Sequence, residues 1–288
     1  MAPRKGGLSV RKFLLLTLAV AACAGAVQVG TAQAFAACGT ITVSTTLAAD
    51  CAAPLTVAAS GITVDLGGHA VVCDSQEAAG IRIPSGLSSV TVRNGAVRLG
   101  LSSCFEGVNV SGESNQLKAL QESGSIDGFV VGGDSNTLLL ISASSNFVDG
   151  VAVTGDNNTI RQATLTGNLE GADIFIGLHN TITRSRSFLN DIGIGVAGDS
   201  TGVDRNHVFH NNTGIYFSGG SQRSAATLNQ TYLNDVGILI DDTSQHDTLF
   251  INGSYANFSW DMEDDNANCD SNAWFDNLFT TANQACIS

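Results

Sequence analysis

The chain has 288 residues, with 26 Asp and Glu against 13 Lys and Arg and a formal net charge of −13. A body this acidic argues against nucleic acid and anionic membranes as partners, since both would be repelled. Behind the leader described next, about 250 residues remain, enough for one extended β domain or two compact ones.

Residues 1–37 read as an export signal. Arg4, Lys5, Arg11 and Lys12 make a basic start, and the apolar run from Phe13 to Val27 is short for a membrane span. Ala32-Gln33-Ala34 fits a small-x-small cleavage pattern, with cleavage after Ala34 or Ala37. The alternative is Val20-Ala21-Ala22-Cys23 as a lipobox, which would anchor the protein through Cys23. No later segment is long and apolar enough to cross a membrane. Removing the four basic residues at the start leaves nine Arg and Lys against 26 acids, a charge of −17. The expected location is secreted or at the cell surface, and the expected state is a monomer.

Six cysteines remain: Cys38, Cys51, Cys73, Cys104, Cys269 and Cys286. An even count in an exported chain implies three disulfides, for which fifteen pairings exist. The pairing chosen is Cys38–Cys51, Cys73–Cys104 and Cys269–Cys286, which pins the two ends. No cysteine or histidine spacing suggests zinc.

Residues 38–66 form an N-terminal cap and first coil, residues 67–262 a repeat, and residues 263–288 a C-terminal cap. The repeat shows as columns about 22 residues apart. One polar column starts at Ser125 and continues through Asn146, Asn168, Asn190, Asn211, Asn234 and Asn257. Ten residues upstream runs a second column: Asn115, Asn136, Asn158, Asn180, Thr201, Ser224 and Asp247. Asn206, Asn229 and Asn252 begin another. A glycine column (Gly80, Gly107, Gly128, Gly150, Gly171, Gly193, Gly214, Gly237) precedes alternating apolar pairs such as Val151 and Val153 or Ile215 and Phe217. Alternation marks half-buried strands. A unit of this length with no helical period fits one turn of a β-solenoid, with stacked Asn side chains satisfying amides at the bends. The fold class is therefore all-β: a right-handed single-stranded parallel β-helix of about 8–9 coils.

The pattern Asn-x4-Asn-x2-Gly-Ile, at Asn206/Asn211/Gly214/Ile215 and Asn229/Asn234/Gly237/Ile238, resembles the parallel β-helix repeats of pectate-lyase-like proteins and of the NosD-like repeat group. The resemblance covers roughly residues 60–262. It implies the fold and a carbohydrate or surface partner, in a superfamily that holds lyases, hydrolases, epimerases and adhesins. Asp241-Asp242 is similar to the paired aspartates of polygalacturonases, but that family's Gly-His-Gly and Arg-Ile-Lys motifs are absent.

Function must use outward positions. Asp173, Phe175, Tyr216 and Asp241 are expected as neighbours on one exposed sheet, where aromatics beside carboxylates suit sugar contact. Arg161, Arg184, Arg186 and Arg205, with His207 and His210, make a basic patch. Arg161, Arg184 and Arg205 are candidates for an anionic sugar, and salt bridges to nearby acidic rows are the preferred reading. Those rows are Asp127, Asp149 and Glu170 before the glycines, and Asp134, Asp156 and Asp199 after the strand. A late group holds Asp261, Glu263, Asp264 and Asp265. Exposed bends with water screening are expected for all of them, with calcium as the alternative and no other cofactor. No catalytic residue is assigned. The expected function is a non-catalytic contact with carbohydrate or a cell-surface partner, and the alternative is a polysaccharide lyase or glycoside hydrolase.

Overall fold

Each turn of the chain places one face of three short strands inward, and stacking the turns buries those faces against one another. The result, in a computed structural model that describes residues 36–74 and 76–288, is a parallel β-solenoid of about ten turns. The expected export signal and the Cys23 alternative lie outside the described residues. Among the described residues every paired strand runs parallel to its partner one turn away, and register holds through the central turns with an irregularity between Ala37 and Gly39 in the first. The stack is longer than expected because both cap segments supply strands themselves. Ala37–Ile41 and Thr45–Thr46 open it, and Ala273–Phe275 extends it at the far end.

The first face includes Glu106–Val110, Asp127–Val131, Asp149–Val153, Glu170–Ile174, Ile192–Val196, Thr213–Phe217 and Val236–Ile240. The second face includes Thr137–Leu139, Thr159–Arg161, Thr181–Thr183 and Gly202–Asp204. The third face includes Ser142–Ser144, Thr164–Thr166, Arg186–Phe188 and His207–Phe209. The core is a stack of apolar residues, with Phe129, Val151, Ile174, Ile194 and Phe217 fully enclosed. Removing such surfaces from water supplies the main stabilisation, at about 25 cal/mol per Å2.

The corners are held by the expected amide-to-amide ladder, as from Asn168 Nδ2 to Asn190 Oδ1 at 3.2 Å and from Asn211 Nδ2 to Asn234 Oδ1 at 3.1 Å, and by a second set of bonds beside it. The backbone N–H of each column residue donates to the side-chain oxygen of the column residue one turn later. Asn146, Asn168, Asn190, Asn211 and Asn234 donate in this way to the next Asn Oδ1, each at 3.0 Å. Asn115, Asn136 and Asn158 do the same at 2.8 Å. Asn206 and Asn229 continue the third series at 2.9 and 3.0 Å. Nδ2 groups donate to carbonyls of the preceding turn, as from Asn234 to Val208 O at 3.1 Å. Most of these buried amides are thus satisfied along the axis, the Nδ2 group of Asn158 having no partner among the described residues.

The residue before each column residue is left-handed, which turns the chain through the corner. Leu189 (φ 60°), Arg184 (φ 52°), Arg205 (φ 53°) and His210 (φ 57°) are examples. A non-glycine residue there costs roughly 1–2 kcal/mol, and the hydrogen bonds of the following residue offset it.

Disulfides Cys38–Cys51, Cys73–Cys104 and Cys269–Cys286 close the two ends. At the C-terminal end two acids expected to be solvated are buried instead. Asp261 takes the place of the column glycine and ends the Asn column, accepting Asn257 Nδ2–H at 2.9 Å and the backbone N–H groups of Thr280 and Thr281. Asp264 accepts the indole N–H of Trp274 at 2.9 Å.

Candidate functional site

Strands of the first face break the in–out alternation at their glycine. In Glu170–Ile174 the glycine and Ala172 are both buried, so Glu170 and Asp173 face outward together. Asp149 lies in register beside Glu170, one turn before. Side-chain oxygens of Asp149, Glu170 and Asp173 all fall within 4.8 Å of one another. The exposed bend expected for the row Asp127, Asp149 and Glu170 is therefore corrected: Asp149 is only 9 % exposed. Its carboxyl accepts no hydrogen bond from any described residue. The other row behaves differently from simple water screening. Asp134 accepts the N–H of Asp156, and Asp156 that of Leu178, each at 2.8 Å.

Burial dominates the electrostatics. It pushes Asp149 up to about 8, with the charges of Asp173, Asp127 and Glu170 adding to the effect. Glu170 rises to about 7 by burial and by its neighbours Asp173 and Asp191. Asp173 rises to about 6 by burial. Asp127 and Glu106, next along the column, are raised for the same primary reason.

Gly195 lies in register with Asp173 and, lacking a side chain, leaves room for the Glu170 carboxylate beside it. Apolar side chains border the cluster on both margins. Phe147 (73 % exposed) and Leu169 stand on the side where the strands begin, and Phe175 (58 % exposed) and Ile176 where they end. Three carboxylates are hard oxygen donors of the type calcium takes, with water completing its six to eight ligands.

Of the residues singled out from sequence, Asp173 belongs to this cluster and Phe175 to its margin. Tyr216 sits one strand beyond Gly195. Its hydroxyl donates to Asp241 Oδ2 at 3.4 Å. The other oxygen of Asp241 caps its own turn, accepting from Thr243 N and Oγ1 at 2.9 and 2.6 Å. The four thus fall into two pairs along one face, not one group. Arg161, Arg184 and Arg205 lie at the corner between the second and third faces, which does not border the first. The expected salt bridges to the acidic rows are corrected as well. Of these arginines, only Arg205 is paired among the described residues, with its neighbour Asp204 at 2.6 Å. Asp149 and Glu170 are the members that sequence reasoning left out of the site. Their column was visible, but its burial was not.

No family model matches the chain, and no curated protein matches it. Solved structures do. The A-module of the Azotobacter vinelandii mannuronan C-5 epimerase AlgE4 superposes with a TM-score of 0.60 at 13 % identity, over 85 % of this chain and 88 % of that one. A point mutant of the periplasmic alginate epimerase AlgG gives 0.53 at 14 %, over 75 % and 66 %. Pectate lyase Pel9A gives 0.51 at 17 %, over 74 % and 65 %, so this chain spans just under two thirds of its length. In fold, the chain is a right-handed parallel β-helix of the pectate-lyase-like kind. Among the described residues no helix is long and apolar enough to cross a membrane.

Proposed function

We propose that the protein is an exported β-helix that holds a polysaccharide against its first face, with Asp149, Glu170 and Asp173 as the contact group. One observation carries the reading: three carboxyls converge on the outward side of the first face, one of them nearly buried and without a hydrogen-bond donor among the described residues. Ionised carboxylates accept from sugar hydroxyls, and protonated ones also donate. Phe147 and Phe175 offer apolar contact to the C–H faces of sugar rings. Three disulfides suit an oxidising compartment, which supports export. Fold neighbours named for mannuronan, alginate and pectate support a polysaccharide ligand by analogy alone.

Catalysis is the second reading, favoured by the spread of acidities. At neutral pH, Asp149 at about 8 keeps its proton while Asp173 at about 6 has lost it. These are the two states that acid–base cleavage requires. A divalent cation is a further ligand the trio would take.

The test is incubation with a panel of polysaccharides, with and without calcium, following gel retardation, reducing ends and the absorbance of unsaturated products. Retardation without product, weakened in Asp149→Asn, supports the first reading. Product release abolished by Asp149→Asn replaces it with the second. Neither signal on any polysaccharide overturns both.

A further inference from the structure

The corner between the second and third faces carries positive charge that the protein itself does not neutralise. Arg161 ends the strand Thr159–Arg161 and is in register with Thr183. Arg184 follows Thr183 at the corner. Arg205 occupies the same left-handed corner position one turn later, and Arg184 N–H donates to the carbonyl of Asp204 there. Arg186 and His207 are in register on the third face. All four arginines are exposed.

Their partners are few. Asp204 serves Arg205 and also accepts Thr183 Oγ1–H at 3.1 Å. Arg186 lies over the rings of Phe188 and Phe209, at 5.8 and 5.6 Å from their centroids. The side chains of Arg161 and Arg184 have no ion pair or hydrogen bond with any described residue. The stacked positions on either side are Leu139, Leu140 and Gln162 before, and Thr227, Leu228 and Gln230 after. None carries a negative charge. Four guanidinium groups therefore face one carboxylate, on a chain that otherwise carries an excess of acid. Arginines this close repel one another unless an anion comes between them.

The third face beside the arginines points to what that anion belongs to. In line with Arg186 stand Thr164, Ser142 and Gln121, and in the neighbouring column Thr166, Ser144 and Ser123. Further along this face, Gln121, Ser123, Ser142 and Ser144 line a cavity of about 340 Å3 with Asp50 and Arg98. These hydroxyls and amides suit a ligand rich in hydroxyls. The aromatic stack of Phe188, Phe209, Tyr232 and Tyr255 covers its own ring faces, with planes within 5° of parallel, so it presents edges and not platforms. The turns repeat every ~4.8 Å, comparable with the length of one sugar ring.

We propose that Arg161, Arg184, Arg186 and Arg205 form a second polysaccharide site, which takes the acidic groups of a uronate- or sulfate-bearing glycan lying along the third face. It is independent of the carboxyl cluster on the first face. The acidic remainder of the surface limits long polyanions, and confines the charged contact to these three turns.

The test is affinity electrophoresis of the full chain in gels containing polygalacturonate, dextran sulfate or neutral dextran, at low and at physiological salt. The expected result is retardation by an acidic glycan and not by neutral dextran, weakening as salt rises. Retardation by one acidic glycan and not the other identifies uronate or sulfate as the recognised group. Arg184→Asn with Arg205→Asn keeps residues that tolerate the left-handed corner, and Arg161→Gln changes no corner residue. Each should weaken binding by about tenfold per guanidinium, the scale of one charge-assisted hydrogen bond, with the melting temperature unchanged. Asp149→Asn should leave this binding intact, which separates it from the first-face site. No retardation by either acidic glycan, undiminished retardation of the arginine variants, or equal retardation by double-stranded DNA would each overturn the proposal.

Discussion

Gly195 and Asp173 are paired in register on the first face, and a Cβ on the glycine would stand 3.5 Å from Asp173 Oδ1 and 2.8 Å from Glu170 Oε2. The bare backbone at this one position makes room for the Glu170 carboxylate, so that the carboxyls gather beside it. On one side of it lies Asp173, on the other Tyr216.

Gly195→Val is therefore expected to crowd the Glu170 carboxyl and obstruct the patch. Glycine is a poor strand residue by roughly 0.5–1 kcal/mol, so the fold should not suffer. Binding of any glycan held by the cluster should drop several-fold while the melting temperature holds or rises slightly. Unchanged binding in a folded Gly195→Val protein would move the site elsewhere.

Stability should depend on pH in an unusual direction. Asp149, Glu170 and Asp173, together with Asp247 and the enclosed Glu122 (both at about 7), hold protons more tightly folded than unfolded. The unfolded chain releases these protons near pH 4, so the stabilisation is complete below that and is lost as pH rises through about 6 to 8. Asp50 and Asp65, held low by the N–H groups of Ala70 and Gly67, act oppositely at the acid end. Denaturant midpoints should accordingly decline from mildly acidic pH towards pH 8. Asp149→Asn and Glu122→Gln should each flatten the decline, and a midpoint that rises over this range would refute the assignment.

The corner columns predict unequal costs of substitution. The Asn190 side chain accepts from Asn168 N and Nδ2 and donates to Leu165 O, Ser187 Oγ and Asn211 Oδ1. Asn115 accepts from Val90 N at 2.9 Å and donates to Leu87 O at 3.4 Å. Asn190→Leu should cost on the order of 1–3 kcal/mol for the donors it strands, and more than Asn115→Leu. Equal costs in urea melts would mean that the extra bonds of Asn190 contribute nothing.

Much of the fold was legible because stacking forces equivalent residues to recur. Gly128, Gly150 and Gly171 must be bare where backbones meet, and Asn146, Asn168 and Asn190 must repeat to pass hydrogen bonds along the axis. The left-handed corners were not legible. Leu189 and Ile251 carry none of the glycine or asparagine chemistry that usually announces such a backbone, and only the hydrogen bonds of the next residue make them tolerable. The candidate site was half legible. Asp173 falls on the simple alternation, which points it outward. Asp149 and Glu170 precede the column glycine, where alternation breaks, so their direction and burial depend on the neighbouring turns. The arginines could be placed at one height from spacing alone. That the acidic rows lie on other parts of the coil required the third dimension.

Replacing the whole cluster, as Asp149→Asn, Glu170→Gln and Asp173→Asn together, is the most direct test of a first-face glycan site. Titration of a retarded polysaccharide against this triple variant and the parent should show binding lost in the variant, with its stability at pH 8 equal to or above the parent's. Undiminished affinity in the folded triple variant would contradict it.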